Sequence, residues 1–251
     1  MRLYFNGCSF TYGAELTNPE KFSWPTVVAK SINAVFVNDA VSGGSNDRIM
    51  YKTILNLHDF DFFFVAWTSY TRFTEYNPAD NYEVNFLPDL ALDPNVHFSD
   101  DLKKNYAKYV NYGKSYYADW FNELYEFKKW LQQILLLQSL FKVNKKKYLM
   151  INTTDNNLDI WLQPWETFID SVKDLLPFFN HIDDNQLFVE YNQIRKLVSQ
   201  IDQSTFINWG ETTIKKIGDP YPKGPGDHFL EEGHQAVANF MMKYYNNICL
   251  K

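Results

Sequence analysis

The sequence predicts an α/β fold: a parallel sheet of about five strands with helices on both faces. Three observations predict it. Short, nearly continuous apolar runs of strand length (Leu3–Asn6, Ala34–Asn38, Asp61–Trp67, Lys147–Asn152) show no polar alternation, as strands buried on both faces should. Between the first three lie segments with apolar residues at helical spacing, over Pro25–Ile32 and from about Asp47 to Leu57. Strand, helix, strand, helix, strand joined by short glycine-bearing loops is then a series of crossovers, and crossovers make neighbouring strands parallel.

Each element has its own signals. The first strand breaks at Gly7, with Ser9 at the turn and Gly13 after it. Ser23 is placed to cap the next helix and Pro25 sits in its first turn. The second strand runs into D-A-V-S-G-G-S-N-D, a loop dense in turn formers whose Asn46-Asp47 can cap the helix that follows. After the third strand, Thr68 to about Asn105 is polar and carries Pro78, Pro88 and Pro94. It reads as an insertion over about 73–105, a surface excursion of the kind that forms lids. Tyr106–Phe141 is a long helical segment with a break expected near Gly113; Trp120, Phe121, Leu124, Phe127, Leu131, Ile134 and Leu135 recur at three and four as a core stripe. A second insertion spans about 156–186, Leu187–Ile201 is an amphipathic helix, and Thr205–Trp209 fits a last short strand. A Gly/Pro-rich loop then leads to a final helix from about Glu231 to Asn246. With no repeat and no linker, residues 1–251 read as a single domain with two insertions.

Composition excludes several classes of function. A hydrophobic fraction of 45% and an aromatic fraction of 18% exclude a disordered chain and leave aromatics to spare for a lined cleft. The net charge of −6 and the lack of a basic stripe argue against a nucleic-acid partner. Two cysteines, Cys8 and Cys249, give neither a disulfide framework nor a metal spacing, which fits a reducing compartment. No signal peptide is visible, and the longest apolar runs are too short to span a bilayer. The expectation is a cytoplasmic protein without a membrane partner.

A strand ending in Gly-x-Ser sets a hydroxyl at the carboxyl edge of the sheet, where ligands gather in open α/β folds. Serine needs an adjacent base to act as a nucleophile, so the histidines decide. His228 stands after Asp227 in the Gly/Pro-rich loop, and His234 lies in the first turns of the final helix, more fitting as a packing residue. His58, His97 and His181 are elsewhere. Asp227, His228, Glu232 and His234 lack the spacing of a metal site, so no cofactor is expected.

Four stretches, in order, resemble the blocks of the SGNH (GDSL-type) hydrolases. N-G-C-S-F-T-Y-G is similar to the block of the nucleophilic serine, with Cys8 where the family has aspartate and Ser9 as the nucleophile. N-D-A-V-S-G-G-S-N-D resembles the block whose glycine gives a backbone N–H to the oxyanion, here Gly43. V-A-W-T-S-Y-T-R stands at the third block, with Ser69 in place of the oxyanion asparagine; Asn46 and Arg72 are spare donors, and Arg72 alternatively binds an anionic group of the substrate. G-D-H-F-L-E-E-G-H resembles the last block, with His228 as base. The resemblance covers roughly residues 1–75 and 200–245 and is strongest to SGNH-like proteins of tailed phages. It implies a flavodoxin-like three-layer α/β/α fold and serine-dependent hydrolysis of an acyl or acetyl ester on a carbohydrate or small molecule. It also implies an aspartate on His228. Asp227 is closest, but adjacent side chains in extended chain diverge, so Asp219 or a backbone carbonyl are alternatives. A catalytically impaired binding or virion-associated module and an acyltransferase using the same residues remain open.

Overall fold

The computed structural model describes residues 1–77, 82–88, 100–156, 158–175, 183–207, 209 and 211–249. His97 and His181 lie outside the described residues. The chain begins with β1 (Arg2–Asn6), α1 (Ser9–Tyr12), α2 (Pro19–Phe22), α3 (Trp24–Ser31), β2 (Val35–Asn38), α4 (Asn46–Leu55) and β3 (Phe62–Trp67). It continues through β4 (Phe73–Asn77), β5 (Tyr82–Phe86), α5 (Asp100–Ser115), α6 (Glu123–Val143) and β6 (Lys147–Asn152). Five more helices follow: α7 (Leu158–Leu162), α8 (Trp165–Leu175), α9 (Asp184–Val198), α10 (Ile214–Gly218) and α11 (Glu231–Cys249).

The main sheet is parallel, in the order β2-β1-β3-β6. Leu3 is in register with Phe36 on one side and Phe62 on the other, and β3 pairs with β6 from Phe62↔Lys147 to Trp67↔Asn152. The sheet therefore has four strands rather than five. Where Thr205–Trp209 was expected to add a strand, its described residues meet β6 at one isolated parallel bridge, Met150↔Phe206, and a second bridge, Asn152↔Thr213, lies beyond it.

Alternation of side chains across the strands fills two layers. Tyr4, Phe63, Val65, Trp67 and Met150 pack on one face with Ile49 of α4, the apolar stripe of α6 and Leu187, Tyr191, Ile194 and Val198 of α9. Leu3, Phe5, Phe62, Phe64, Ala66 and Ile151 pack on the other with Trp24 and Val28 of α3 and Val237, Ala238, Met241 and Tyr245 of α11. This is the three-layer α/β/α arrangement. Phe5 and Phe64 stack at 4.6 Å and are fully buried; burial of such a ring contributes about 1.5–3 kcal/mol.

The first insertion is not an irregular excursion in its described part. β4 and β5 form an antiparallel hairpin, Phe73 opposite Phe86, with the two rings stacked at 4.5 Å. The expected break near Gly113 also moves. Gly113 is buried within α5, which passes into a single wide (π) turn at Tyr116–Trp120. The chain restarts at Asn122, whose side chain accepts the Tyr125 N–H at 2.9 Å and so caps α6. A capping asparagine specifies a helix start more strongly than a packed glycine specifies a stop.

Candidate active site

The turn that carries Ser9 follows from local chemistry. At the end of β1, Asn6 Oδ1 accepts the Gly7 N–H at 2.9 Å while its Nδ2 donates to Ile49 O of α4 at 3.0 Å. A Cβ on Gly7 would stand 2.4 Å from Thr11 Oγ1, so only glycine lets the strand turn this tightly into α1. α1 closes after four residues at Gly13, which adopts φ 92° and donates to Ser9 O. Ser9 thus opens a short helix at the carboxyl edge of the sheet and is 5% exposed.

Across from it, the loop before α11 is fixed by Phe229. A Cβ on Gly218 would lie 2.0 Å from the Phe229 ring, and one on Gly233 would lie 2.6 Å from Phe229 Cβ, so two glycines form its socket. Buried His234 stacks on Phe229 at 4.6 Å, and its Nδ1 accepts the Trp24 N–H at 3.2 Å. Burial, helped by the charge of His228, pushes the His234 pKa down to about 3, so this ring is neutral. It is a packing residue.

The anchored loop brings His228 Nε2 to 2.8 Å from Ser9 Oγ. The carboxylate at the other ring nitrogen is neither Asp227 nor Asp219. It is Glu15, whose Oε2 lies 3.1 Å from His228 Nδ1 and accepts the His228 backbone N–H at 3.1 Å, while Oε1 accepts the Gly226 N–H at 2.6 Å. Burial raises the Glu15 pKa, but those two backbone donors and the ring outweigh it and hold the carboxyl below its ordinary range. Asp227, expected as the orienting acid, has φ 64° and turns outward to Lys215 Nζ at 2.6 Å and Lys223 Nζ at 2.9 Å. Hydrogen bonds from Lys215 and then Lys223 pull its pKa to about 2. Asp219 is likewise held by Lys223, at 2.8 Å. The physical reason is space: a Cβ on Gly224 would lie 2.8 Å from Glu15 Cδ, so the glycines of the histidine loop admit a carboxylate from the loop after α1.

Gly43 is buried at φ 70° in the loop after β2. That loop is laced to the Ser9 turn by Val41 N–H to Gly7 O at 3.4 Å and Asn38 Nδ2 to Thr11 O at 3.0 Å. The remaining candidates are engaged or set apart. The Ser69 hydroxyl pairs with Thr71 Oγ1 at 2.7 Å and accepts the Thr71 N–H. Asn46 bonds Thr68 twice, its Oδ1 accepting the N–H at 2.9 Å and its Nδ2 donating to the carbonyl at 3.1 Å. The cap of α4 is Ser45, whose Oγ accepts the Arg48 N–H at 3.3 Å, and not Asn46-Asp47. Arg72 closes a turn with its N–H on Ser69 O at 3.3 Å, and its Nη1 is buried without a hydrogen-bond partner. Cys8, next to Ser9, is fully buried and free.

Ser9 and His228 are therefore brought together, Gly43 stands on the adjoining loop, and Asp227 is not part of the group. Glu15 is what sequence reasoning missed. The available signal was the pair Gly224 and Gly226 beside the histidine, since glycines at that spacing mark a close approach by another segment. Among the described residues, no group of three or more His, Cys, Asp or Glu could hold a metal ion, and no helix is long and apolar enough to cross a membrane.

A family model matches residues 14–167, a span that includes Glu15, Gly43, Ser69 and Arg72 but neither Ser9 nor His228. No curated protein matches the chain. Among solved structures it is similar to a carbohydrate esterase with divergent catalytic and non-catalytic binding functions, at 11% identity and TM-score 0.46, covering 98% of this chain and 64% of that one. The chain thus spans less than two thirds of that esterase's length. It is also similar to the psychrotrophic esterase EstA from Pseudoalteromonas sp., at 9% identity and TM-score 0.47, covering 98% and 97%. A third likeness is to a G-D-S-L family lipolytic protein from Veillonella parvula, at 15% identity and TM-score 0.41, covering 97% of each chain.

Proposed function

The chain belongs to the family of unknown function DUF6071, and we propose that it is a serine-dependent ester hydrolase whose site is Ser9, His228 and Glu15. The observation that carries the reading is the continuous line from Ser9 Oγ to His228 Nε2 at 2.8 Å and from His228 Nδ1 to Glu15 at 3.1 Å. A carboxylate at Nδ1 keeps the proton on that nitrogen, which leaves Nε2 as the acceptor for the serine proton. Ser9 then attacks the ester carbonyl and His228 takes its proton. As the tetrahedral species collapses, His228 returns the proton to the departing alcohol, leaving an acyl group on Ser9. Water, deprotonated by the same ring, releases the acid. Glu15 stabilises the imidazolium at both stages.

The developing oxyanion is met by the Ser9 N–H at the start of α1 and by the Gly43 N–H. Both candidate side-chain donors are already engaged, the Ser69 hydroxyl with Thr71 Oγ1 and the Asn46 amide with the N–H and carbonyl of Thr68. Loss of one such donor typically costs ~10²–10³ in kcat. That observation favours a second reading, a catalytically impaired binding module that keeps the cleft. Fluorophosphonate labelling separates the two, with the modified residue identified by mass spectrometry in native and Ser9→Ala protein. Modification at Ser9 that vanishes in the variant supports the hydrolase, and an unlabelled, well-folded protein rejects it.

A further inference from the structure

We propose that Arg72 is the receptor for an anionic group carried by the substrate, so that the preferred ester bears a carboxylate or phosphate near the scissile bond. This deepens the hydrolase reading and rests on it. The protein contains a direct control for what a satisfied arginine looks like. Arg48 places Nε on Glu83 at 2.7 Å, Nη2 on Asp39 Oδ1 at 3.2 Å and Nη1 on Asp39 O at 2.8 Å. Arg72 is only half-buried, yet its Nη1 is removed from solvent with no acceptor, and among the described residues no carboxylate pairs with it. A charged donor withdrawn from water without a partner is costly, and such a group is retained where something else completes it.

Its place in the fold says where that completion occurs. Arg72 ends the turn that begins at Ser69, immediately beyond β3, and β3 lies beside β1, whose own carboxyl end carries Ser9. The hairpin that Arg72 leads into is tied to the Gly43 loop, where Thr74 Oγ1, two residues on, bonds Ser45 Oγ at 2.6 Å. Phe73 between them packs on Tyr116 at 4.1 Å. Two further donors frame the same edge without partners: Ser42 Oγ on the Gly43 loop and Thr68 Oγ1, fully buried at the end of β3. A guanidinium fork with flanking hydroxyls matches the oxygens of a carboxylate or phosphate.

The test compares acetyl esters of methyl glucuronide, glucose 6-phosphate and methyl glucoside. Native protein should favour one anionic ester over the neutral one by about 10–100-fold in kcat/KM, the range of a charged hydrogen-bond pair. Arg72→Gln should bring that ratio close to one, and Arg72→Lys should retain part of it. Which anion is favoured assigns the source, and either supports the site. Equal handling of charged and neutral esters, or a ratio that survives in folded Arg72→Gln, overturns it. Titration calorimetry with methyl glucuronide and glucose 6-phosphate separates this proposal from the reading beneath it. Binding that weakens in Arg72→Gln without any turnover upholds the anion site and rejects the hydrolase. Ser9 labelling with turnover indifferent to charge does the reverse.

Discussion

Glu15 and His228 stand 213 positions apart, yet the Glu15 carboxylate meets both the backbone N–H and the ring of His228 at 3.1 Å. The same carboxylate holds Gly226, so a single side chain from the loop after α1 fixes both the path of the histidine loop and the orientation of its ring. Ser9 and Glu15 are six residues apart, and His228 comes from the far end of the chain.

Replacing Glu15 should therefore cost activity more than stability. Glu15→Gln keeps the size of the side chain but loses the charge that favours the imidazolium and fixes its tautomer. The rate of Ser9 phosphonylation should fall by about 10²–10⁴-fold. A fall of less than threefold, measured on folded protein, would sink the assignment of Glu15.

Asp227→Asn provides the contrast. Its carboxylate is exposed and serves two surface lysines, and exposed ion pairs contribute little. Labelling of Ser9 should stay close to native. A loss as large as that of Glu15→Gln would restore Asp227 to the site.

The Phe229 socket predicts a coupled loss of stability and function. In Gly218→Ala the new methyl would lie 2.0 Å from the Phe229 ring, and overpacking of this kind costs about 1–3 kcal/mol. Since Phe229 anchors the loop of His228, denaturant unfolding and Ser9 labelling should both report the change. Native labelling in a destabilised protein would show that the socket does not position the base.

Acid should act in two steps. His234 has a folded pKa depressed to about 3 from 6.5, so between these values the unfolded chain binds a proton that the folded protein refuses. Stability should fall with decreasing pH through this window by up to about 1.4 kcal/mol per unit. His234→Gln, followed by unfolding at several pH values, should flatten that slope. The Glu15 carboxyl is lowered from 4.5, so its contribution is complete above that value and is lost as pH falls through the folded pKa. Denaturant unfolding below pH 4.5 should show a loss of stability in native protein that Glu15→Gln lacks.

The strands, α3, α4 and α11 were legible because each is specified by its own residues, apolar runs for strands and three-and-four spacing for helices; β2, expected to be buried, is instead an edge strand with Val35 and Val37 exposed. Thr205–Trp209 misled for the same reason. Its apolar residues do pack at the sheet edge, but a ladder depends on the partner strand as well as on composition. The hairpin of β4 and β5 was hidden because its pairing is antiparallel within a polar segment, and its buried pair Phe73 and Phe86 lies thirteen residues apart.

Ser9 and His228 could be singled out along the chain because each sits in a short glycine-bearing pattern, at the end of a strand or before a helix, whereas Gly43 was indicated by the family resemblance. The sequence by itself determined that these turns exist and that they fall at one edge of a parallel sheet. Only the tertiary structure decided which carboxylate faces the histidine. Asp227 is next to it in sequence, but a backbone at φ 64° sends that side chain to Lys215 and Lys223. Glu15 takes the position because Gly224 and Gly226 leave room for it and two backbone N–H groups need an acceptor there. Proximity along a chain fixes where a backbone goes, whereas the direction of a side chain is settled by the space and the unpaired donors that folding creates.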